Sequence, residues 1–236
     1  MCKNQKICCY AVMAFFLLVI SNASGSQVQE IPLQRGWNLF SFSINTVYYD
    51  SDFPPTVPML SNAIYEKVTS LNDVMISIHG KYEEIRNYDS NGTSYYNPNY
   101  PSFLNSLQYL APGYGYWIRM RQPAALSFTG VYASPSDELV LLEGWNLVGC
   151  WHQEVQYASS TPPTVSLPAG ISSSPVSSVS DIFSSIDGKY TAIIKLDPNG
   201  AGIFDPQLPE YLNTLDYISP GYGYWIKMKE SASLHY

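Results

Sequence analysis

In the segment 81–89 the side chains alternate, so that Tyr82, Glu84, Arg86 and Tyr88 fall on one face of an extended chain. The matching face 108 residues later carries Tyr190, Ala192, Ile194 and Leu196, which is apolar, and period-two patterning of this kind predicts β-strands in both places. The same period runs through 114–120, where Tyr114, Tyr116, Ile118 and Met120 point one way and Gly115, Trp117 and Arg119 the other. Segment 30–44 reads as a strand rich in aromatic and aliphatic residues around a turn led by Gly36. Ser90-Asn91-Gly92 and Pro198-Asn199-Gly200 supply the Asn-Gly pair that tight hairpins use for positive φ, with return strands at 94–97 and 202–205. A hairpin-like pair, 114–120 with 125–128, is the last signal of the first half.

Helical signals are short. Segment 61–78 is open to a helix, but its counterpart contains Gly170 and Pro175, which break one. What survives in both places is a short helix through 73–78 and 181–186, capped by Asn72 or Ser180 and ended by Gly80 or Gly188. Pro101 and Pro209 open a helical turn over 103–110 and 211–218. The expected fold class is therefore mainly β with a minor α component: two homologous antiparallel β-rich repeats with short helices. Because the second copy ends almost on its last strand, at His235-Tyr236, the two are expected to pack as a pseudo-twofold pair, exchanging strands.

The duplication is explicit. Aligned without a gap, 30–128 and 138–236 share 41 identities in 99 positions, all at an offset of 108. The predicted organisation is a signal peptide over 1–25, a first repeat over 26–128, a linker over 129–137 and a second repeat over 138–236. Residues kept in both copies are those that a shared fold or function still uses. The signature set is Gly36, Trp37, Asn38, Gly80, Tyr82, Gly113, Tyr116 and Trp117, matched by Gly144, Trp145, Asn146, Gly188, Tyr190, Gly221, Tyr224 and Trp225. In order, Gly-Trp-Asn-Leu, Gly-Lys-Tyr and Gly-Tyr-Gly-Tyr-Trp-Ile-x-Met resemble a tandem repeat module of bacterial and archaeal secreted and cell-surface proteins. The resemblance implies an extracytoplasmic β-rich module, often attached to other surface domains. It brings no catalytic or ligand-binding residues with it.

Composition changes the picture chiefly at the N-terminus. Lys3 and Lys6 precede an apolar run from 7 to 20, followed by small polar residues, which is the order of a secretory signal; the run is too short to span a bilayer. Cleavage before Ser26 removes two lysines and no acid, so the net charge of −7 becomes −9. An acidic chain disfavours nucleic acid as a partner. Export places the protein in the periplasm, at the cell surface or outside the cell, with no transmembrane segment after cleavage. Three of the four cysteines leave with the signal, and the flanks of Cys150 predict a buried thiol.

Candidate chemistry is sparse. Asp89 and Asn91, with Asp197 and Asn199, resemble the opening of a calcium loop, but position twelve is Tyr100 or Leu208 where a bidentate Glu is required, so a hairpin turn is expected and no metal or other cofactor is assigned. A carboxylate pair for glycoside cleavage could be drawn from Asp73, Asp89 and their copies, yet a helix start and a turn account for them. Trp37/Trp145, Trp117/Trp225 and tyrosines 82/190, 109/217, 114/222 and 116/224 are expected mainly in the core. If any are exposed, Trp117 and Trp225 are the candidates for ligand binding, together with Arg119 and Lys227 on the same strand face. The expected function is that of an exported, non-catalytic repeat protein with a structural or adhesive role toward a cell-envelope protein. Polysaccharide binding through the paired aromatics is the alternative, and a glycoside-hydrolase-like enzyme a distant third.

Overall fold

The computed structural model describes residues 25–163, 171–197 and 200–236, with only the backbone of Asp197. The expected signal peptide except Gly25, the segment containing Thr164, Val165 and Gly170, and Pro198-Asn199 lie outside these residues. The first half runs β1 Gln27–Leu33, β2 Gly36–Phe40, β3 Thr46–Tyr49, β4 Ile64–Lys67, β5 Tyr82–Asp89, β6 Gly92–Tyr96, β7 Tyr109–Leu110, β8 Tyr116–Met120 and β9 Ala124–Gly130. The second runs β10 Leu139–Leu141, β11 Gly144–Gly149, β12 Glu154–Tyr157, β13 Ser172–Pro175, β14 Tyr190–Asp197, β15 Gly200–Phe204, β16 Tyr217–Ile218, β17 Gly223–Met228 and β18 Ala232–Leu234. The protein is mainly β, as the alternation predicts. Each half holds a four-stranded antiparallel sheet, β2-β8-β5-β6 or β11-β17-β14-β15, and a three-stranded sheet, β4-β3-β7 or β13-β12-β16. A two-stranded ribbon completes each half, β1 with β9 or β10 with β18.

Several local expectations are corrected. Segment 30–44 is two strands, because Gly36 at φ 92° turns the chain and Asn38 holds the turn: its Oδ1 accepts from Gln34 N at 2.8 Å and its Nδ2 donates to Gln34 O at 2.7 Å. Asn146 bonds the backbone of Leu142 in the same way. Segment 61–78 contains β4, which pairs in parallel with β3. The helices start earlier than expected, at Leu71–Val74 and Val179–Ile182, with Ser70 and Ser178 as caps. The Ser-x-x-Asp spacing builds a capping box at each, in which Asp73 and Asp181 reach back to the cap N–H. The helical turn near 103–110 shrinks to a 3₁₀ turn, Ser102–Leu104, and the last strand of the half pairs with β1 instead of folding back on β8. In the turn after β5 the positive φ falls on Gly92, at 98°, while Asn91 N–H donates to Asp89 Oδ1. A bulge between Tyr82 and Glu84 puts Tyr82 on the inner face with Ile85 and Asn87, opposite to Glu84, Arg86 and Tyr88; β14 bulges likewise after Tyr190.

One buried apolar cluster runs through both halves, from Ile31 to Leu234. Its centre is a close crossing of strands. Ser41 N–H donates to Gly221 O at 3.1 Å, and Gly149 N–H to Gly113 O at 2.8 Å. Phe40 forms a β-bridge with Tyr222, and Val148 one with Tyr114. A Cβ on Gly223 would lie 2.9 Å from Leu39, and one on Gly115 would lie 3.1 Å from Leu147. Each of these contacts recurs with the halves exchanged, at the offset of 108.

Gly149 is the tightest point, since an added Cβ would meet both Ser41 Cβ and Tyr114 O at 2.6 Å. Backbone cannot yield there as a flexible side chain would. Gly149→Ala is therefore expected to cost about 3 kcal/mol or more, above the usual range for an overpacked methyl, as read from urea unfolding midpoints. Because the core is shared, residues 26–135 alone are expected to show no cooperative thermal transition by circular dichroism. A sharp melt of that piece would refute this account of the core.

Candidate functional site

The register of β2, β8 and β5 decides what faces outward. Trp37 lies opposite Arg119 and Trp117 opposite Arg86, so these residues share the outer face of the first sheet, while Leu39, opposite Trp117 on the same face, is buried beneath Gly223 of the second half. Trp37 and Trp117 meet edge to face at 6.3 Å. Arg86 lies over Trp37 at 5.2 Å and over Tyr95 at 5.9 Å, and pairs with Glu84 at 2.7 Å; Arg119 pairs with Glu83 at 3.2 Å. The second sheet repeats the aromatic couple, with Trp145 and Trp225 at 6.1 Å and Lys227 over Trp145 at 5.6 Å. Its surroundings are aliphatic, because Ala192, Ile194, Leu196 and Ile203 stand where the first half has Glu84, Arg86, Tyr88 and Tyr95.

The expectation that the paired aromatics are core thus divides. Tyr82, Tyr190, Tyr109, Tyr217, Tyr114, Tyr116 and Tyr224 are buried. Tyr116 and Tyr224 are tyrosines for a reason: each phenol oxygen accepts a backbone N–H at 2.7 Å, from Ala111 and Ser219 respectively. The four paired tryptophans sit outside the core. Trp37 and Trp145, 45% and 40% exposed, are the more open members, while Trp117 and Trp225 are half-buried. Arg119 and Lys227 are exposed beside them. The fifth tryptophan, Trp151, is fully buried.

Tyr88 joins the two outer faces, since its ring lies 5.3 Å from Trp225 of the other half. Beside this contact a groove of about 620 Å³ opens between the 88–92 hairpin and strand β11 with the segment before it. Tyr88, Asp89, Asn91, Glu143, Trp145 and Asn146 line it. The groove belongs to neither half alone. In comparisons with family models, curated proteins and solved structures, none matches this chain.

The other candidates resolve into structural roles. Asp89 accepts from Asn91 N–H through Oδ1 and from Tyr109 O–H through Oδ2, and Asn87 in turn donates to Tyr109 Oη at 2.9 Å, so the carboxylate braces the hairpin. Asn199 and the side chain of Asp197 lie outside the described residues. Among the described residues no three His, Cys, Asp or Glu side chains cluster as a metal site would require. Gly36, Gly80 and Gly113, with Gly144, Gly188 and Gly221, all sit at positive φ. The helical turns expected after Pro101 and Pro209 are present as short 3₁₀ turns, but the pattern did not show that they display Phe103 and Tyr211, 82% and 83% exposed, each followed by an exposed leucine. Nor did it find Tyr88 and Glu143 as groove residues. The signal for Tyr88 lay in the bulge, which an alternation count passes over.

Cys150 is fully buried, as its flanks predict, and burial pushes its thiol up to about 12. Burial pushes Tyr190 up to about 12 as well, and holds Tyr116, Tyr224 and Tyr236 well above 10. These groups stay protonated in the folded chain at pH values where the unfolded chain releases its protons. Their contribution to stability is complete below pH 9 and is lost as pH rises toward 12. The urea midpoint is expected to fall steadily above about pH 9, and Cys150 to remain unreactive toward a disulfide reagent at pH 8 until the protein unfolds. Stoichiometric labelling of the native chain would contradict the buried placement.

Proposed function

We propose that this chain is an exported, non-catalytic repeat protein that binds a component of the cell envelope through its outward aromatic faces, in a structural or adhesive role. One observation carries the reading. The glycines, asparagines and tyrosines of the signature set serve turns or the core, whereas Trp37, Trp145, Trp117 and Trp225 are kept in both copies and remain at the surface. An exposed indole has large apolar area to offer a partner, and aromatic anchors dominate binding energies at interfaces. The acids Asp73, Asp181 and Asp89 are held in caps and a turn, which supports a binding role over hydrolysis by facing carboxylates.

The reciprocal contacts of the crossing support the reading of two homologous modules closed on one another about a local twofold axis. Pairing of this kind turns two modest aromatic couples into one extended display, because Tyr88 bridges them. No helix among the described residues is long and apolar enough to cross a membrane. Export through the N-terminal segment and location at the envelope are parts of the same proposal.

The test is retention on envelope fractions from the producing cells. The double variant Trp37→Ser and Trp145→Ser is expected to be retained at least about tenfold less than the parent, because both positions are exposed anchors, while its melting midpoint stays within a few degrees. Equal retention of a folded variant would reject the aromatic faces as the binding surface.

A further inference from the structure

We infer that the groove between the 88–92 hairpin and strand β11 is a subsite for a neutral glycan chain; this rests on the binding role proposed above and names its ligand class. The volume of about 620 Å³ falls within the range of small-ligand sites, about 300–1,000 Å³. Three aromatic residues line it, the buried Tyr114 together with the more accessible Tyr88 and Trp145. A sugar ring presents a flat C–H face that stacks on such rings and a rim of hydroxyls that both donate and accept. The polar groups of the groove match that rim. The Asn91 carboxamide and the Glu143 carboxylate are exposed and make no side-chain hydrogen bond among the described residues. Asp89 has an unused lone pair on each oxygen beyond its two turn bonds.

Charge selects among glycans. Asp89 and Glu143 line the groove, and among the described residues no lysine, arginine or histidine does, so an acidic polysaccharide would meet like charge in a partly desolvated site. A peptide fits less well, since the edge of β11 is partly taken: Gly115 N–H donates to Leu147 O and Gly149 N–H to Gly113 O, which leaves only Gly144, Trp145 and Asn146 to an added strand. The groove also explains why the two halves need not bind identically. Its walls come from the hairpin of one half and the Gly-Trp-Asn strand of the other.

The test is calorimetric titration of the full mature chain with neutral oligosaccharides of glucose, xylose, mannose and N-acetylglucosamine, and with oligogalacturonate. At least one neutral series is expected to bind, and Trp145→Ala to weaken it at least about tenfold. Asn91→Ala, at a residue with negative φ and no side-chain bond to lose, serves as a second variant that leaves the fold intact. It is expected to weaken binding about fivefold, the worth of one hydrogen bond. Tyr211→Ser, outside the groove, is expected to change nothing, and oligogalacturonate to remain unbound. Binding that ignores both groove variants, or that prefers oligogalacturonate, overturns the inference. So does binding of no sugar at all. In that last case, retention on envelope fractions that still depends on Trp37 and Trp145 would leave the broader binding role standing, and its loss would remove both.

Discussion

The structure depends on how closely two strands can cross at its centre. Where β2 and β11 leave their own sheets, each donates a backbone N–H across to the other half, and side chains at Gly149, Gly115 or Gly223 would push the halves apart. The gain is an apolar cluster larger than either repeat could bury alone, which matters for modules of this size. The crossing also sets the outer surface. By bringing one sheet against the next, it leaves the opposite faces exposed and aligns the hairpin of the first half with the Gly-Trp-Asn strand of the second.

Much of the fold was legible because the chain contains its own comparison. The ungapped offset isolated the turn glycines and the buried tyrosines, and Asn38 and Asn146 earned their place as turn closures. What alternation could not show is where its own phase breaks. The bulges after Tyr82 and Tyr190 add one residue each, so inner and outer faces swap along a single strand, and Tyr88 was assigned to the face of Tyr82. Pairing partners were hidden for a related reason: β9 has a short path back to β8, yet it joins β1, far away in sequence. The tryptophans were read as core on volume and hydrophobicity. Register overrules that, because a residue directly after the turn glycine points away from Phe40, which is the residue that reaches the core.

The two outer faces have diverged while the scaffold has not. In the first half, Glu84, Arg86, Glu83 and Arg119 satisfy one another around Trp37 and Trp117. In the second, aliphatic side chains surround the same couple, with Lys227 as the neighbouring charge over Trp145. Ion pairs at an exposed surface contribute little to stability and weaken further with salt, so the charges of the first face do little to hold the sheet. One backbone thus presents two chemically distinct surfaces on either side of Tyr88.

The distribution of the five tryptophans has an optical consequence. Four stand in two edge-to-face couples at the surface, and only Trp151 lies in the core, against Tyr236 at 4.6 Å. Emission from the native chain is therefore weighted toward indoles in contact with water, with a blue-shifted component from Trp151 beneath it. Occupation of the outer faces and loss of the core would move these components in opposite directions, so a single emission spectrum separates the two events without any introduced label.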